Sequence, residues 1–185
     1  MSKLRLVVMA SGSGTTFEAL AKANSVDFEV IGLIASKPNI DVIERAQKLN
    51  IPFQIATSDE DTLMHLKEWN PNLVVLAGYL KKVGPQTLAA YENKMLNTHP
   101  SLLPKYGGPG MFGRRVHEAV IANAEEKSGV TIHWVTENYD EGPIIAQKEV
   151  ILDSNETVES LEIKVKDTEK IFLIETLNSL PKLVN

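Results

Sequence analysis

The first regular element of the chain is Leu4-Arg-Leu-Val-Val-Met-Ala10, and Ser11-Gly-Ser-Gly-Thr-Thr16 follows it directly. The first segment is short and mostly apolar, which is typical of a buried parallel strand. The second segment places glycines and hydroxyl side chains where a helical pattern begins, so free amides and hydroxyls can converge there on an anion. A strand, a glycine turn and a helix in this order predict the first unit of an α/β fold.

Apolar runs and amphipathic segments continue to alternate after this first unit. The order predicts a parallel sheet with right-handed crossovers and helices on both faces, which is a doubly wound α/β fold. Strands are predicted at residues 4–10, 28–36, 52–56, 73–79 and 95–99, and helices at residues 16–23, 41–49, 59–69 and 85–92.

The pattern changes after residue 99. A loop rich in Pro and Gly covers residues 100–113, and a helix is predicted over residues 116–125. Two added C-terminal strands at 130–136 and 144–152 and a long C-terminal helix at 157–180 complete the prediction. The sequence shows no internal repeat, low-complexity tract or linker, so we expect a single domain over residues 1–185.

Composition narrows the classes of function. The 185 residues include 24 acidic and 19 basic side chains, for a net charge of −5, and no cysteine. The absence of cysteine excludes disulfides, thiolate nucleophiles and Cys-ligated metals, and it is compatible with the reducing cytoplasm that we expect. An acidic chain disfavours nucleic acid and anionic membranes as partners. Small-molecule partners are expected instead. The longest apolar run, residues 73–80, is far shorter than the roughly 18 residues that span a bilayer, so no transmembrane helix is expected.

The glycine loop at residues 11–16 is a candidate site for a phosphate. It is a poor dinucleotide fingerprint because Phe17 stands where a third glycine belongs, and it lacks the Gly-Lys-Ser/Thr of a Walker loop. A phosphomonoester therefore fits better than NAD. Two alternatives stay open at this point: an ordinary tight turn, and an NADP enzyme in which Lys37 meets the ribose phosphate.

Polar side chains also stand at two later strand ends. Asn97 and His99 are two residues apart on one predicted strand, so both side chains should point to the same face near the end of that strand. An amide and an imidazole placed there can hydrogen-bond a carbonyl oxygen. Asp140 lies in a turn, and if it reaches His99 it would raise the imidazole pKa toward neutrality. A structural role for all three residues is the alternative. The four histidines lack the spacing of a metal site, so no catalytic metal is expected.

Four motifs together carry a family resemblance. They are Asn97-Thr-His-Pro-Ser-Leu-Leu-Pro-Lys-Tyr106, Asp140-Glu-Gly-Pro143, Val74-Val-Leu-Ala-Gly78 and Ser11-Gly-Ser-Gly14. With them the chain closely resembles the phosphoribosylglycinamide formyltransferases of purine synthesis, from about residue 4 to residue 170. The resemblance implies a Rossmann-like formyltransferase fold and transfer of the formyl group of 10-formyltetrahydrofolate to the amine of glycinamide ribonucleotide.

The resemblance also implies roles for individual residues. Asn97 and His99, the latter as an imidazolium, would stabilise the oxyanion on the formyl carbon, while Asp140 keeps His99 charged. Lys81 replaces a common Arg and is expected to help hold an anionic ligand. The matched catalytic residues are Asn97, His99 and Asp140; the matched substrate-binding residues are Gly14, Thr15, Thr16 and Glu169; the matched folate-binding residues are Leu80, Lys81, Lys82, Val83 and Asn97.

The sequence departs from the family pattern in one loop. Residues 107–113 differ in length and sequence from the commoner loop, which contributes a His near the site, and His117 is a candidate to replace that His. His133 is a second histidine whose family counterpart lies near the site, with a structural role as the alternative. We expect a monomer or a homodimer.

Three rival functions follow from the same residues. Formylation of methionyl-tRNA and hydrolysis of formyltetrahydrofolate use related chemistry. The tRNA enzymes resemble this chain but carry an added C-terminal domain, and the hydrolases carry an added N-terminal domain. We expect neither addition in this chain. A nucleotide-binding domain or NADP oxidoreductase would use the glycine loop and leave Asn97, His99 and Asp140 idle.

Overall fold

The protein is described by a computed structural model, which covers residues 3–23 and 25–180. Strands and helices alternate as the sequence predicts. Within the described residues the strands are β1 (Leu4–Ala10), β2 (Phe28–Ala35), β3 (Phe53–Ile55), β4 (Leu73–Leu76), β5 (Met95–His99), β6 (Lys127–Trp134) and β7 (Ile144–Ile151). The helices are α1 (Thr15–Lys22), α2 (Asp41–Lys48), α3 (Asp59–Trp69), α4 (Pro85–Ala90), α5 (Arg114–Ala122) and α6 (Val158–Ser179).

The strands form one sheet in the order β3-β2-β1-β4-β5-β6-β7. The pairs from β3 to β5 are parallel, whereas β6 and β7 are added in antiparallel register. This order confirms the doubly wound prediction with its added C-terminal strands and long C-terminal helix. The direction of winding reverses between β1 and β4, and ligands of such sheets bind beyond the carboxyl ends of the strands at that point.

Both faces of the sheet are covered by helices, as the apolar composition of β1 requires. Alternate residues of β1 enter opposite core clusters: Leu6 and Val8 pack with Phe17 of α1, whereas Val7 and Met9 pack on the other face. All five side chains are fully buried. No helix in the described part of the chain is both long and apolar enough to cross a membrane.

Most predicted boundaries agree with the structure to within two residues, and three do not. Strand β4 ends at Leu76 rather than at residue 79, because the chain turns at Gly78 with φ of 65°. Helix α5 ends at Ala122 rather than at residue 125, and Ala124 beyond it has a left-handed φ of 49°. Strand β6 begins at Lys127, three residues before its predicted start at residue 130.

Candidate active site

One pocket of about 490 Å³ opens at the carboxyl ends of β1, β4 and β5. It lies where the direction of winding reverses, which is the expected place for a ligand in this architecture. Every site residue predicted from the sequence lies on its wall. They are Gly14, Thr15, Thr16, Leu80, Lys81, Lys82, Val83, Asn97, His99, Asp140 and Glu169.

The glycine loop forms one end of this pocket. Gly14 precedes α1 with a left-handed φ of 73°, and a Cβ at this position would lie only 2.3 Å from Cγ2 of Val42. Arg45 of α2 holds the loop from behind by donating to the carbonyl of Ser13 at 2.7 Å. Since the first N–H groups of a helix have no partner within it, the amides of Thr15 and Thr16 are suited to binding an anion.

The segment at residues 80–83 forms a second wall and is bonded to the glycine loop. Ser11 donates its N–H to the carbonyl of Gly78 at 3.1 Å and accepts the N–H of Leu80 on its hydroxyl at 2.9 Å. The Lys81 ammonium donates to the carbonyl of Ser36 at 2.7 Å. The ammonium keeps two further N–H donors, so the expectation that Lys81 helps to hold an anionic ligand stays a prediction.

Asn97 is oriented by a neighbouring histidine. His133 of β6 lies 2.9 Å from the carbonyl of Trp134 through Nδ1 and 3.1 Å from Nδ2 of Asn97 through Nε2. A carbonyl only accepts, so Nδ1 donates its proton to Trp134, and Nε2 is placed to accept an N–H of Asn97. The second N–H of Asn97 is then available to an oxygen atom in the pocket.

His99 is bracketed by two acceptors. Its Nε2 lies 2.7 Å from the carbonyl oxygen of Tyr106, and its Nδ1 lies 3.4 Å from Oδ2 of Asp140. Asp140 also accepts the N–H of Gly108 at 2.9 Å, and its Oδ1 lies 3.6 Å from Nε2 of His133. The turn after β6 thus brings Asp140 to His99, as the sequence suggested.

The electrostatics of this pair differ from the expectation. Burial lowers the pKa of His99 below its usual value, and it outweighs the Asp140 carboxylate and the Tyr106 carbonyl, which act to raise it. The pKa of Asp140 is also lowered, because the neighbouring His133, His99 and Gly108 N–H together overcome the opposing effect of burial. Asp140 therefore acts on the His99 pKa in the expected direction, but the expected net rise toward neutrality was wrong: burial dominates, and the free protein pairs a carboxylate with a largely neutral imidazole at neutral pH.

Glu169 of α6 reaches the glycine loop across the fold. Its Oε1 accepts hydrogen bonds from the hydroxyls of Thr16 at 3.0 Å and Thr98 at 3.1 Å. Burial raises the pKa of this carboxyl, against the two hydroxyl donors. A carboxyl group with a raised pKa beside the anion loop is suited to exchanging a proton with an amine.

Two further histidines lie on the pocket wall, and no metal cluster accompanies them. His117 is buried, its Nδ1 has no hydrogen-bond partner within the described residues, and burial lowers its pKa. His133 contacts Asn97 through Nε2, and its functional role stays a prediction. Across residues 3–23 and 25–180, no group of three or more His, Asp or Glu side chains is arranged to hold a metal ion.

The loop at residues 100–106 is tied to the sheet by a buried hydroxyl. Thr131 of β6 donates to the carbonyl of Ser101 at 2.7 Å and accepts the N–H of Leu103 at 3.0 Å and an N–H of Gln147 at 2.9 Å. This anchoring places Tyr106 against His99. Sequence reasoning missed the contribution of Tyr106 and Gly108, because both act through backbone atoms that any residue possesses.

The chain is similar in sequence to known formyltransferases. The family described as formyl transferase matches residues 4–177. The chain is 35% identical to the chloroplastic phosphoribosylglycinamide formyltransferase of Vigna unguiculata, over 95% of this chain but only 60% of that relative. It is 33% identical to phosphoribosylglycinamide formyltransferase of Bacillus subtilis, over 98% of this chain and 96% of the relative.

Solved structures agree with these sequence relatives. Phosphoribosylglycinamide formyltransferase from Bacillus halodurans is 39% identical with a TM-score of 0.86, over 95% of this chain and 94% of that one. A formyltetrahydrofolate deformylase from Pseudomonas syringae has a TM-score of 0.85, over 96% of this chain and 61% of that one, but it is only 24% identical. The deformylase therefore shares the fold, and the likeness says nothing further about activity.

Proposed function

The chain belongs to the formyl transferase family, and from this premise we propose that it is a phosphoribosylglycinamide formyltransferase. It would transfer the formyl group of 10-formyltetrahydrofolate to the amine of glycinamide ribonucleotide in purine synthesis. The relatives from Bacillus subtilis and Bacillus halodurans, which match nearly end to end, support this choice of substrates. Action as a single domain in the cytoplasm, as a monomer or homodimer, is part of the same proposal.

One observation carries the proposal: an anion site and an acyl-transfer cluster share one pocket. The backbone amides at the N-terminus of α1 and the hydroxyl of Thr15 suit the substrate phosphate, while Asn97 and the His99–Asp140 pair line the same pocket. A ligand with a phosphate at one end and a reactive amine at the other fits this arrangement. The backbone of residues 80–83 borders the remaining space, which the folate would occupy.

The reaction needs no nucleophile from the enzyme. An α-amine has a pKa near 8, so a useful fraction is neutral at pH 7, and its lone pair attacks the formyl carbon directly. A C–N bond forms while the carbonyl electrons move to oxygen. The free N–H of Asn97 donates to this oxyanion, and one such donor is typically worth about 3–4 kcal/mol.

The proton released by the amine passes through the His99–Asp140 pair. Because His99 is largely neutral in the free protein, Nδ1 can accept this proton, and the resulting imidazolium is stabilised by Asp140 and stabilises the oxyanion in turn. As the tetrahedral intermediate collapses, the bond to the folate nitrogen breaks and that nitrogen takes the proton. The products are the formylated ribonucleotide and tetrahydrofolate.

An assay with and without the amine tests the proposal. Purified protein is incubated with 10-formyltetrahydrofolate, and tetrahydrofolate release is followed in the presence and absence of glycinamide ribonucleotide. Release that requires the ribonucleotide is the expected result. Release without it would identify a hydrolase, and no release under either condition would exclude both activities.

An Asp140→Asn variant tests the proton relay in the same assay. Asp140 acts to raise the pKa of His99, so the neutral amide should move the acid limb of the kcat profile to lower pH and reduce kcat. The amide oxygen of Asn can still accept the Gly108 N–H, which limits structural damage. An unchanged profile would mean that Asp140 does not tune His99.

A further inference from the structure

His99 lies between two residues with left-handed backbones. Tyr106 has φ of 56° and Asp140 has φ of 59°. This region is uncommon for residues other than glycine and is unfavourable for a bulky side chain such as Tyr. The strained Tyr106 supplies the carbonyl on Nε2, and Asp140 supplies the carboxylate opposite Nδ1. Asp adopts this region more readily than most residues, so it is the left-handed Tyr106 beside the imidazole that points to a functional constraint.

Contacts on the far side of Tyr106 hold it in this conformation. Its hydroxyl donates to Oε1 of Glu125 at 2.8 Å, and its ring packs against the core cluster that includes Val130 and Leu161. Glu125 is held in turn by the Lys105 ammonium at 2.8 and 3.0 Å. Glu125 thus has two donors, and Tyr106 is fixed at both its backbone and its hydroxyl.

The contact distances decide which nitrogen of neutral His99 carries the proton. A proton on Nδ1 would leave the lone pair of Nε2 facing the lone pairs of the Tyr106 carbonyl at 2.7 Å. A proton on Nε2 makes that contact a hydrogen bond and leaves Nδ1 facing Asp140 at the longer distance of 3.4 Å. The closer contact dominates because both interactions weaken with distance.

We propose that Tyr106, anchored by Glu125, is a positioning residue that keeps the proton of neutral His99 on Nε2 and reserves Nδ1 for proton exchange beside Asp140. Only the expected effect on kcat rests on the proposed function, because the tautomer of His99 can be measured without substrate. It assigns Glu125, which lies outside the pocket, a role in the chemistry through Tyr106. A serine-protease triad places this proton on the other nitrogen, next to the carboxylate.

The tautomer of His99 can be read by NMR in the ligand-free protein, which makes the test independent of activity. The chain has four histidines, so ¹⁵N-histidine labelling yields four imidazole spin systems, and a His99→Gln sample identifies the one sought. Above its titration, wild-type His99 should be protonated at Nε2. The titratable side chains facing this ring are Asp140 and His133, with His117 also near enough to interact.

Removal of the anchor should change the tautomer and the titration. In Tyr106→Phe the hydroxyl is lost while the ring packing is kept, and Glu125→Leu removes the acceptor. Both should populate the Nδ1–H form and lower the pH at which His99 titrates, since the Tyr106 carbonyl helps to raise its pKa. In the formyl-transfer assay we expect kcat to fall about ten- to a hundredfold with KM for both substrates unchanged.

Two further variants complete the experiment. Glu125→Gln keeps an oxygen that accepts from Tyr106 and should retain the Nε2–H form. Tyr91→Phe removes a hydroxyl from the core cluster on the other face of the sheet and should leave His99 unaffected. An Nδ1–H tautomer in wild type, or a wild-type tautomer and titration in Tyr106→Phe, overturns the proposal. If Tyr106→Phe does not fold, Glu125→Leu is read in the same way. Absence of formyl transfer would refute the proposed function and leave the NMR result standing.

Discussion

Replacing Gly14 by alanine tests how closely the anion loop is fitted to α2. The new Cβ would lie 2.3 Å from Cγ2 of Val42 and 2.8 Å from its Cα, whereas non-bonded carbons favour about 3.5–4.0 Å. The φ of 73° adds a left-handed backbone penalty of about 1–2 kcal/mol. Overpacking of a filled site typically costs about 1–3 kcal/mol. We therefore expect Gly14→Ala to lower the free energy of unfolding by about 2–5 kcal/mol.

Urea unfolding measures this loss, and a neighbouring glycine supplies the control. A Cβ at Gly12 meets no atom within 4 Å, and its φ lies outside the left-handed range, so Gly12→Ala should change stability by no more than about 0.5 kcal/mol. Adding Val42→Ala to Gly14→Ala should recover only a small part of the loss, because the contact with Cγ2 disappears while those with Cβ at 2.5 Å and Cα at 2.8 Å remain. A wild-type midpoint for Gly14→Ala would refute the reasoning.

Two other predictions concern the loop at 100–106 and the pocket histidines. Thr131→Val removes the hydroxyl that ties this loop to the sheet and leaves buried donors unpaired. We expect the free energy of unfolding, measured in urea, to fall by about 2–5 kcal/mol. An unchanged free energy of unfolding would mean that these bonds contribute nothing to stability. The lowered pKa values of His99 and His117 mean that the unfolded chain binds protons more readily than the folded one, so protons favour unfolding. The stability contributed by these rings should be complete above about pH 6.5 and should decline as the pH falls toward their folded pKa values. Because the raised pKa of Glu169 acts in the opposite direction, wild type is compared with His117→Gln, and a fall in the urea midpoint between pH 7.5 and 5.5 that is no smaller in the variant would contradict the burial argument.

Much of the fold was predictable because its signals are local. β1, β5 and α3 occupy the predicted residues, since each has a clear hydrophobic pattern with turn or capping residues at its ends. The end of β4 was missed because it depends on a tertiary contact: Gly78 turns to accept the N–H of Ser11. No local pattern announces such a contact between distant residues.

The sequence predicted which residues line the pocket, but it did not predict their pKa values. The residues expected from the family resemblance all line the pocket, whose assembly follows from the order of the strands. The direction of the His99 pKa shift depends on how much water the folded chain excludes, which residue types do not encode. The contact of Tyr106 with His99 could not be predicted for another reason. It is made by the backbone carbonyl, whereas the tyrosine side chain contacts Glu125 through its hydroxyl.

The hydrogen bonds of Ser11 join the two walls of the pocket that are proposed to bind the substrate phosphate and the folate. This residue bonds both Gly78 and Leu80, so the glycine loop cannot move without moving the start of the segment at residues 80–83. Any factor by which a ligand on the loop alters affinity at the segment must be matched by an equal factor in the reverse direction. Coupling of this kind would make the affinity of an inhibitor aimed at one wall depend on whether the other wall is occupied, so affinities should be measured in both states.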